Sequence, residues 1–185
     1  MKILISSTYF WPYRSGLSEY AYRLGKGLVE RGHEVRVLCS QHDPQLGLEE
    51  ERDSMRITRV PVGIRLSKGV IMPRLKAIAK PLVDWADVVN PHLPQFESPV
   101  IARLAQALGK KIVVTYHCDL DPKTGWFQQL ASKVAMAQGE KTLAMADVIV
   151  QNSLDYAQTS PGLKKYLDKV QAIAVPVDLV PADPQ

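Results

Sequence analysis

The sequence predicts an open, doubly wound α/β fold with a mostly parallel sheet and helices on both faces. Two observations carry this. Apolar runs of strand length alternate with helix-period segments from end to end. In addition, strands such as Ile112-Val-Val and Val148-Ile-Val are continuously apolar rather than alternating. That pattern is expected where helices cover both faces of a parallel sheet.

The elements follow in order. Lys2 to Ser7 reads as a strand and Thr8 to Gly16 as turns. A helix then carries Leu17, Ala21, Leu24 and Leu28, with Ser18 as N-cap and Gly32 as the C′ stop. Strands are expected at Glu34–Ser40 and Met55–Val60. The next helix has Leu75, Ile78, Leu82 and Trp85 on one side, and Pro81 should kink or divide it. In the second half, strands are expected at Asp87–Asn90, Lys111–Tyr116, Asp147–Gln151 and Lys169–Val175. Helices are expected at Glu97–Leu108 (stopped by Gly109), at Gly125–Met145, and from an Asn152 or Ser153 cap to about Leu167. Residues 1–176 form one domain on this reading. Residues 177–185, with Pro181 and Pro184 and no periodicity, read as a linker toward a further domain.

Composition excludes several classes. The 185 residues are 46% hydrophobic and 23% charged, with net charge +4, as in ordinary globular domains. No apolar run approaches the roughly 18 residues of a membrane span, and the start is too short in apolar residues for a signal peptide. Cys39 and Cys118 match no zinc or redox spacing and read as buried thiols in a reducing cytoplasm. The GxGxxG and GxxxxGK[ST] loops and the GxSxG elbow are absent, which disfavours nicotinamide, flavin, P-loop and serine-hydrolase chemistry. No histidine–carboxylate cluster has metal-ligand spacing, so no metal and no cofactor are expected.

In a doubly wound sheet, ligands bind beyond the carboxyl ends of the strands where strand order reverses. Ser15-Gly16, His92 and His117 fall in loops at that end. A glycine ahead of a helix lets a ligand approach unpaired N–H groups, although Glu19 in the first turn would repel an anion unless turned away. His117 can hydrogen-bond phosphate or sugar oxygens, and Asp119 could orient its ring or accept from a hydroxyl. The competing reading makes His117 a strand-end histidine satisfied by backbone, and His92 part of a rigid proline loop. His33 reads as a helix-to-strand connector, and His42 lies in a polar loop.

Six segments in order resemble the family-4 glycosyltransferases. They are Tyr9-Phe-Trp-Pro-Tyr-Arg-Ser-Gly-Leu-Ser-Glu19, Leu28-Val-Glu-Arg-Gly-His-Glu-Val35, Asp87-Val-Val-Asn-Pro-His92, Val113-Val-Thr-Tyr-His-Cys-Asp119, Ala146-Asp-Val-Ile-Val-Gln-Asn-Ser153 and Val175-Pro-Val-Asp178. The resemblance implies the N-terminal, Rossmann-like, acceptor-side half of a two-domain GT-B fold. It implies transfer of a hexose, with retention and without metal, from a UDP-, GDP- or ADP-sugar held mainly by a C-terminal donor domain in cis or in trans. The Ser15-Gly16-Leu17 turn would approach the donor diphosphate, and His117 with Asp119 would lie at the transfer site. His92 and Asn152 would face a sugar, lipid or small-molecule acceptor. The family's glycine pair is Ser15-Gly16 here, and the first histidine of its HxH strand is Asn90. A non-catalytic partner domain of the same fold is the alternative.

Between Met55 and Val83 stand seven basic residues (Arg56, Arg59, Arg65, Lys68, Arg74, Lys76 and Lys80) and no acidic one. With the Leu75-Ile78-Leu82 stripe among them, residues 56–80 are a candidate peripheral contact with the inner face of a membrane. The competing reading is a sheet-covering helix with a solvated basic face. Nucleic acid is not expected as a partner, because the stretch lacks stacking aromatics.

Overall fold

The structure is a computed structural model that describes residues 1–66, 69–120 and 125–176. The expected linker at 177–185 and Lys68 of the basic stretch lie outside the described residues. Ten strands are present among them: β1 (Lys2–Ser6), β2 (Glu34–Gln41), β3 (Glu49–Arg52), β4 (Met55–Pro61), β5 (Ile64–Leu66), β6 (Gly69–Ile71), β7 (Val88–Leu93), β8 (Lys111–Tyr116), β9 (Val148–Gln151) and β10 (Val170–Ala172). The helices are α1 (Gly16–Glu30), α2 (Leu75–Trp85), α3 (Ser98–Ala107), α4 (Trp126–Met145) and α5 (Leu154–Thr159).

Eight strands form one sheet in the order β10-β9-β8-β7-β1-β2-β4-β3, parallel throughout except for β3. From β1 the chain steps outward to β2 and β4, then returns to the other side of β1 and steps through β7, β8, β9 and β10. Right-handed crossovers therefore place α1 on one face and α2 to α5 on the other. The two cores agree. Ile3, Ile5, Val35, Val37 and Ile57 pack with Ala21 of α1, whereas Leu4, Val89, Ile112, Val114 and Ile149 pack with Leu75, Ile101, Leu143 and Ala157. Strand order reverses between β1 and β7, and in sheets of this kind ligands bind beyond the carboxyl ends of the strands at that point.

Several local features differ from expectation. Ser15, not Ser18, is the N-cap of α1: its hydroxyl accepts from Ser18 N at 3.2 Å while Ser18 Oγ accepts from Ser15 N at 2.9 Å. Serine at both ends of this reciprocal box moves the helix start back to Gly16. Helix α2 runs through Pro81 undivided, with the proline on the exposed side. Helix α5 stops at Thr159 rather than near Leu167, because Pro161 has no N–H to continue it.

Two hairpins occupy the region expected to hold only one strand and a helix. β3, Glu49-Glu-Glu-Arg52, has no apolar residue and pairs antiparallel with β4 through a two-residue turn at Asp53-Ser54. Both turn residues have positive φ, 47° and 60°, as a hairpin turn of this length requires. β5 and β6 form a separate two-stranded sheet.

The basic stretch is thus not one surface. Arg59 is only 1% exposed in β4, ion-paired to Glu50 at 2.6 Å and donating to Trp11 O and Gly47 O. Leu75 and Leu82 are buried in the core and Ile78 packs against it, while the Arg36 guanidinium covers Trp85 at 4.1 Å. The apolar stripe proposed for a membrane is consumed by the sheet. Among the described residues, no helix is long and apolar enough to cross a membrane. Cys39 is buried, but Cys118 is exposed, because β8 has already ended at Tyr116.

Candidate functional site

The first part of the site is the start of α1, at the carboxyl end of β1. Arg59 reaches across from β4 to hold the Trp11 carbonyl at 2.9 Å, and Ser40 N donates to Thr8 O at 3.1 Å. These bonds fix the loop that leads to the helix. Ser15 spends its hydroxyl on Ser18 N, and Ser15 O accepts from Glu19 N. Among the described residues, the Gly16 and Leu17 amides have no acceptor. A Cβ on Gly16 would meet nothing within 4 Å, so packing does not demand a glycine there. Glu19 does not face this end: it pairs with Arg23, one turn on, at 2.8 Å. The helix start is therefore open and carries a positive dipole end.

The second part is a histidine pair on β7 and β8. The structure places His92 not in a loop but inside β7, fully buried, beside Thr115 of β8. Its Nδ1 lies 3.0 Å from His117 Nε2 and its Nε2 lies 2.9 Å from Asn90 Oδ1. Both ring nitrogens of His92 are engaged behind His117, a place that suits support of His117 better than direct contact with an acceptor. His117 is half-buried one residue past β8, with Tyr20 of α1 edge-on to it at 4.9 Å and 90°. Tyr20 stands one turn along α1 from Gly16. The helix start and the imidazole thus share one rim of the sheet.

The Asn90 side chain is held by the strand. Lys111 N donates to Asp87 O, and His117 N to Leu93 O. Every second residue of β7 therefore turns its backbone to β8, and Pro91 is one of them. Proline has no N–H for Val113 O, and the Asn90 amide Nδ2 donates to that carbonyl instead, and to Thr115 Oγ1 at 3.0 Å.

Burial holds both imidazoles neutral. It pushes His92 well below the usual range, with neighbouring His117 adding to the effect, and takes His117 down to about 4. A group whose folded pKa is depressed in this way takes up its proton first in the unfolded chain, near 6.5. Stability is then expected to fall as pH drops from about 6.5 towards 4. Urea midpoints measured across that window check this, and a flat profile contradicts it.

Asp119 is not joined to His117. Its Oδ1 accepts from Tyr116 OH at 2.7 Å, Ser160 Oγ at 3.0 Å and Gly162 N at 3.3 Å, and its Oδ2 from Tyr156 OH at 2.9 Å. Burial alone would raise its pKa, but these donors hold it below the ordinary carboxylate value. It ties the segment after β8 to α5 and the turn beyond. Asn152 is exposed after β9, next to Ser153, which caps α5. It is not brought to the histidine pair by any contact among the described residues. His33 meets the amino terminus at 3.3 Å on the opposite edge, as a connector would.

Sequence reasoning missed Tyr20, whose place one turn after Gly16 was the available signal. It also missed the stacked Tyr9 and Tyr13 rings, 4.4 Å apart, with the His42 ring edge-on to both. A cavity of about 320 Å³ opens on the other side of β8, lined among others by Leu93, Tyr116, Cys118, Met136, Leu143 and Lys165. Among the described residues, no group of three or more histidine, cysteine or acidic side chains could hold a metal.

Comparison with known proteins agrees with this architecture. The chain is 28% identical over 186 residues to O-antigen chain mannosyltransferase C of Escherichia coli, covering 100% of the chain and 48% of that protein. It therefore spans about half the length of this curated relative. Two solved structures share the fold. Sucrose-phosphate synthase from Thermosynechococcus elongatus superposes with a TM-score of 0.60 at 15% identity, over 94% of this chain and 47% of that one. Anabaena HepE in complex with UDP superposes with a TM-score of 0.63 at 12% identity, over 95% and 44%. Residues 14–179, most of the chain, match Glycosyltransferase Family 4, and the chain belongs to that family.

Proposed function

We propose that this chain is the acceptor-side half of a retaining glycosyltransferase that moves a hexose from a nucleotide diphosphate sugar to a carbohydrate or lipid-linked acceptor. Likeness to an O-antigen mannosyltransferase favours mannose as the sugar. The observation that carries the reading is the shared rim: Tyr20 links the open start of α1 to His117. The Gly16 and Leu17 amides would receive the diphosphate, and His117 would meet a hydroxyl near the reacting carbon. A donor-binding half, in cis or in trans, would supply most of the nucleotide contacts and close the crevice. The cavity beside Cys118 offers an apolar wall to part of an acceptor. Exposed Lys76 and Lys80 remain able to meet an anionic surface without insertion.

The test supplies the chain with the donor-binding half of a family-4 transferase and offers UDP-, GDP- and ADP-sugars labelled in the hexose. Transfer of label to an acceptor glycan with one donor supports the reading. No transfer with any of the three leaves the non-catalytic partner domain. Gly16→Val should stay folded, within about 1 kcal/mol of wild type, because its Cβ has space. The branched side chain would stand between the diphosphate and the amides. Loss of one charge-assisted bond, at about 1.5–3 kcal/mol, should cut transfer roughly tenfold to a hundredfold. Unchanged transfer by Gly16→Val counts against the diphosphate assignment.

A further inference from the structure

We infer that Pro91, Asn90 and His92 lock His117 as its Nε2–H tautomer, so that its Nδ1 lone pair accepts a hydrogen bond from a sugar hydroxyl and the site refuses an anion there. The assignment runs in one direction from the backbone. Val113 O is a carbonyl and can only accept, so the Asn90 atom facing it must be the NH₂ group. That leaves Asn90 Oδ1, an acceptor, facing His92 Nε2 at 2.9 Å, and His92 must carry its proton on Nε2. A neutral imidazole has one N–H, so His92 Nδ1 is a lone pair. The group facing it at 3.0 Å, His117 Nε2, must donate. His117 Nδ1 is then unprotonated, and among the described residues nothing is hydrogen-bonded to it.

Alternative arrangements fail on named groups. Reversing the relay would turn the Asn90 oxygen onto Val113 O, two acceptors face to face, in a strand where Pro91 has no N–H to relieve them. A second proton on His92 would sit on Nδ1 and face the N–H of His117, two donors head to head in a fully buried place, and among the described residues no carboxylate is in recorded contact with either ring. A histidine in place of Asn90 could titrate, whereas an amide cannot, and Val113 O fixes which end of the amide faces the relay. The departure from the family's HxH pattern therefore sets the polarity of the site.

The tautomer itself does not depend on the proposed function. Only the identity of the group that meets Nδ1 rests on that reading. The test is a long-range proton–nitrogen spectrum of the chain labelled with ¹⁵N-histidine at neutral pH. The expected result is His92 and His117 both protonated on Nε2 and bare on Nδ1. A proton on His117 Nδ1 would overturn the inference, with no transfer assay involved. Sodium sulfate, which has acceptors but no donors, should leave the His117 signals unchanged, and sulfate that draws a second proton onto the ring contradicts the anion-refusing site. Asn90→Ala should release the relay, so that His117 shows averaged tautomers. If that variant is folded and His117 remains purely Nε2–H, Asn90 is not the lock. If it does not fold, the wild-type spectrum still decides the tautomer.

Discussion

Asp119→Ala is expected to destabilise the domain by about 3–5 kcal/mol, with the midpoint of urea unfolding as the measurement. The carboxylate accepts from three hydroxyls and one backbone amide, and its own N–H donates to Tyr156 OH at 2.7 Å. Hydrogen bonds to a charged group are each worth about 1.5–3 kcal/mol, and the donors of one network do not add independently. Alanine would leave Tyr116, Tyr156, Ser160 and Gly162 without their common acceptor, and the segment after β8 would lose its attachment to α5. Because burial is outweighed by these donors and the folded pKa is lowered, the contribution is present above about pH 3.9 and is lost on acidification below it. A loss under about 1 kcal/mol would show that Asp119 is not this anchor.

The second large effect concerns turnover. Under the proposed function, His117→Ala should lower transfer by about two to three orders of magnitude, the usual cost of removing one preorganised polar group beside developing charge. Folding should survive. The ring is half-buried and lies on the edge of Tyr20 rather than inside either core. Its removal exposes only a His92 lone pair that water can satisfy. Initial rates with the labelled donor, taken with circular dichroism of the variant, separate the two effects. Near-normal transfer by a folded variant would remove His117 from the site.

The parallel sheet was legible because β1, β8 and β9 carry apolar runs on both faces and each is followed by turn or helix signals. β3 was not, because Glu49-Glu-Glu-Arg52 is held at the edge by ion pairs and by Thr58 rather than by apolar contacts. Its turn, Asp53-Ser54, lacks the glycine that usually marks such hairpins. The basic stretch misled for a related reason. Periodicity reports that Leu75, Ile78 and Leu82 share a face but not what covers that face, and here it is the sheet.

Within the site, Gly16 and His117 could be placed from their positions at strand ends alone. Pro91 and Pro94 flank His92 and suggest a loop, yet β7 continues through Pro91 to Leu93. The relay through Asn90 depends on which way each strand residue turns its backbone, and letters do not reveal that. Asp119 looked like a partner for His117, two residues away, but Tyr116, Tyr156 and Ser160 claim its oxygens first.

Chemical-shift mapping with a nucleotide sugar, added to the isotope-labelled chain in the presence of a donor-binding half, probes the shared rim most directly. The account predicts that the amides of Gly16 and Leu17 and the ring of His117 respond together, at one ligand concentration. A response confined to the opposite edge, around His33 and the amino terminus, with Gly16 and His117 silent, would contradict it.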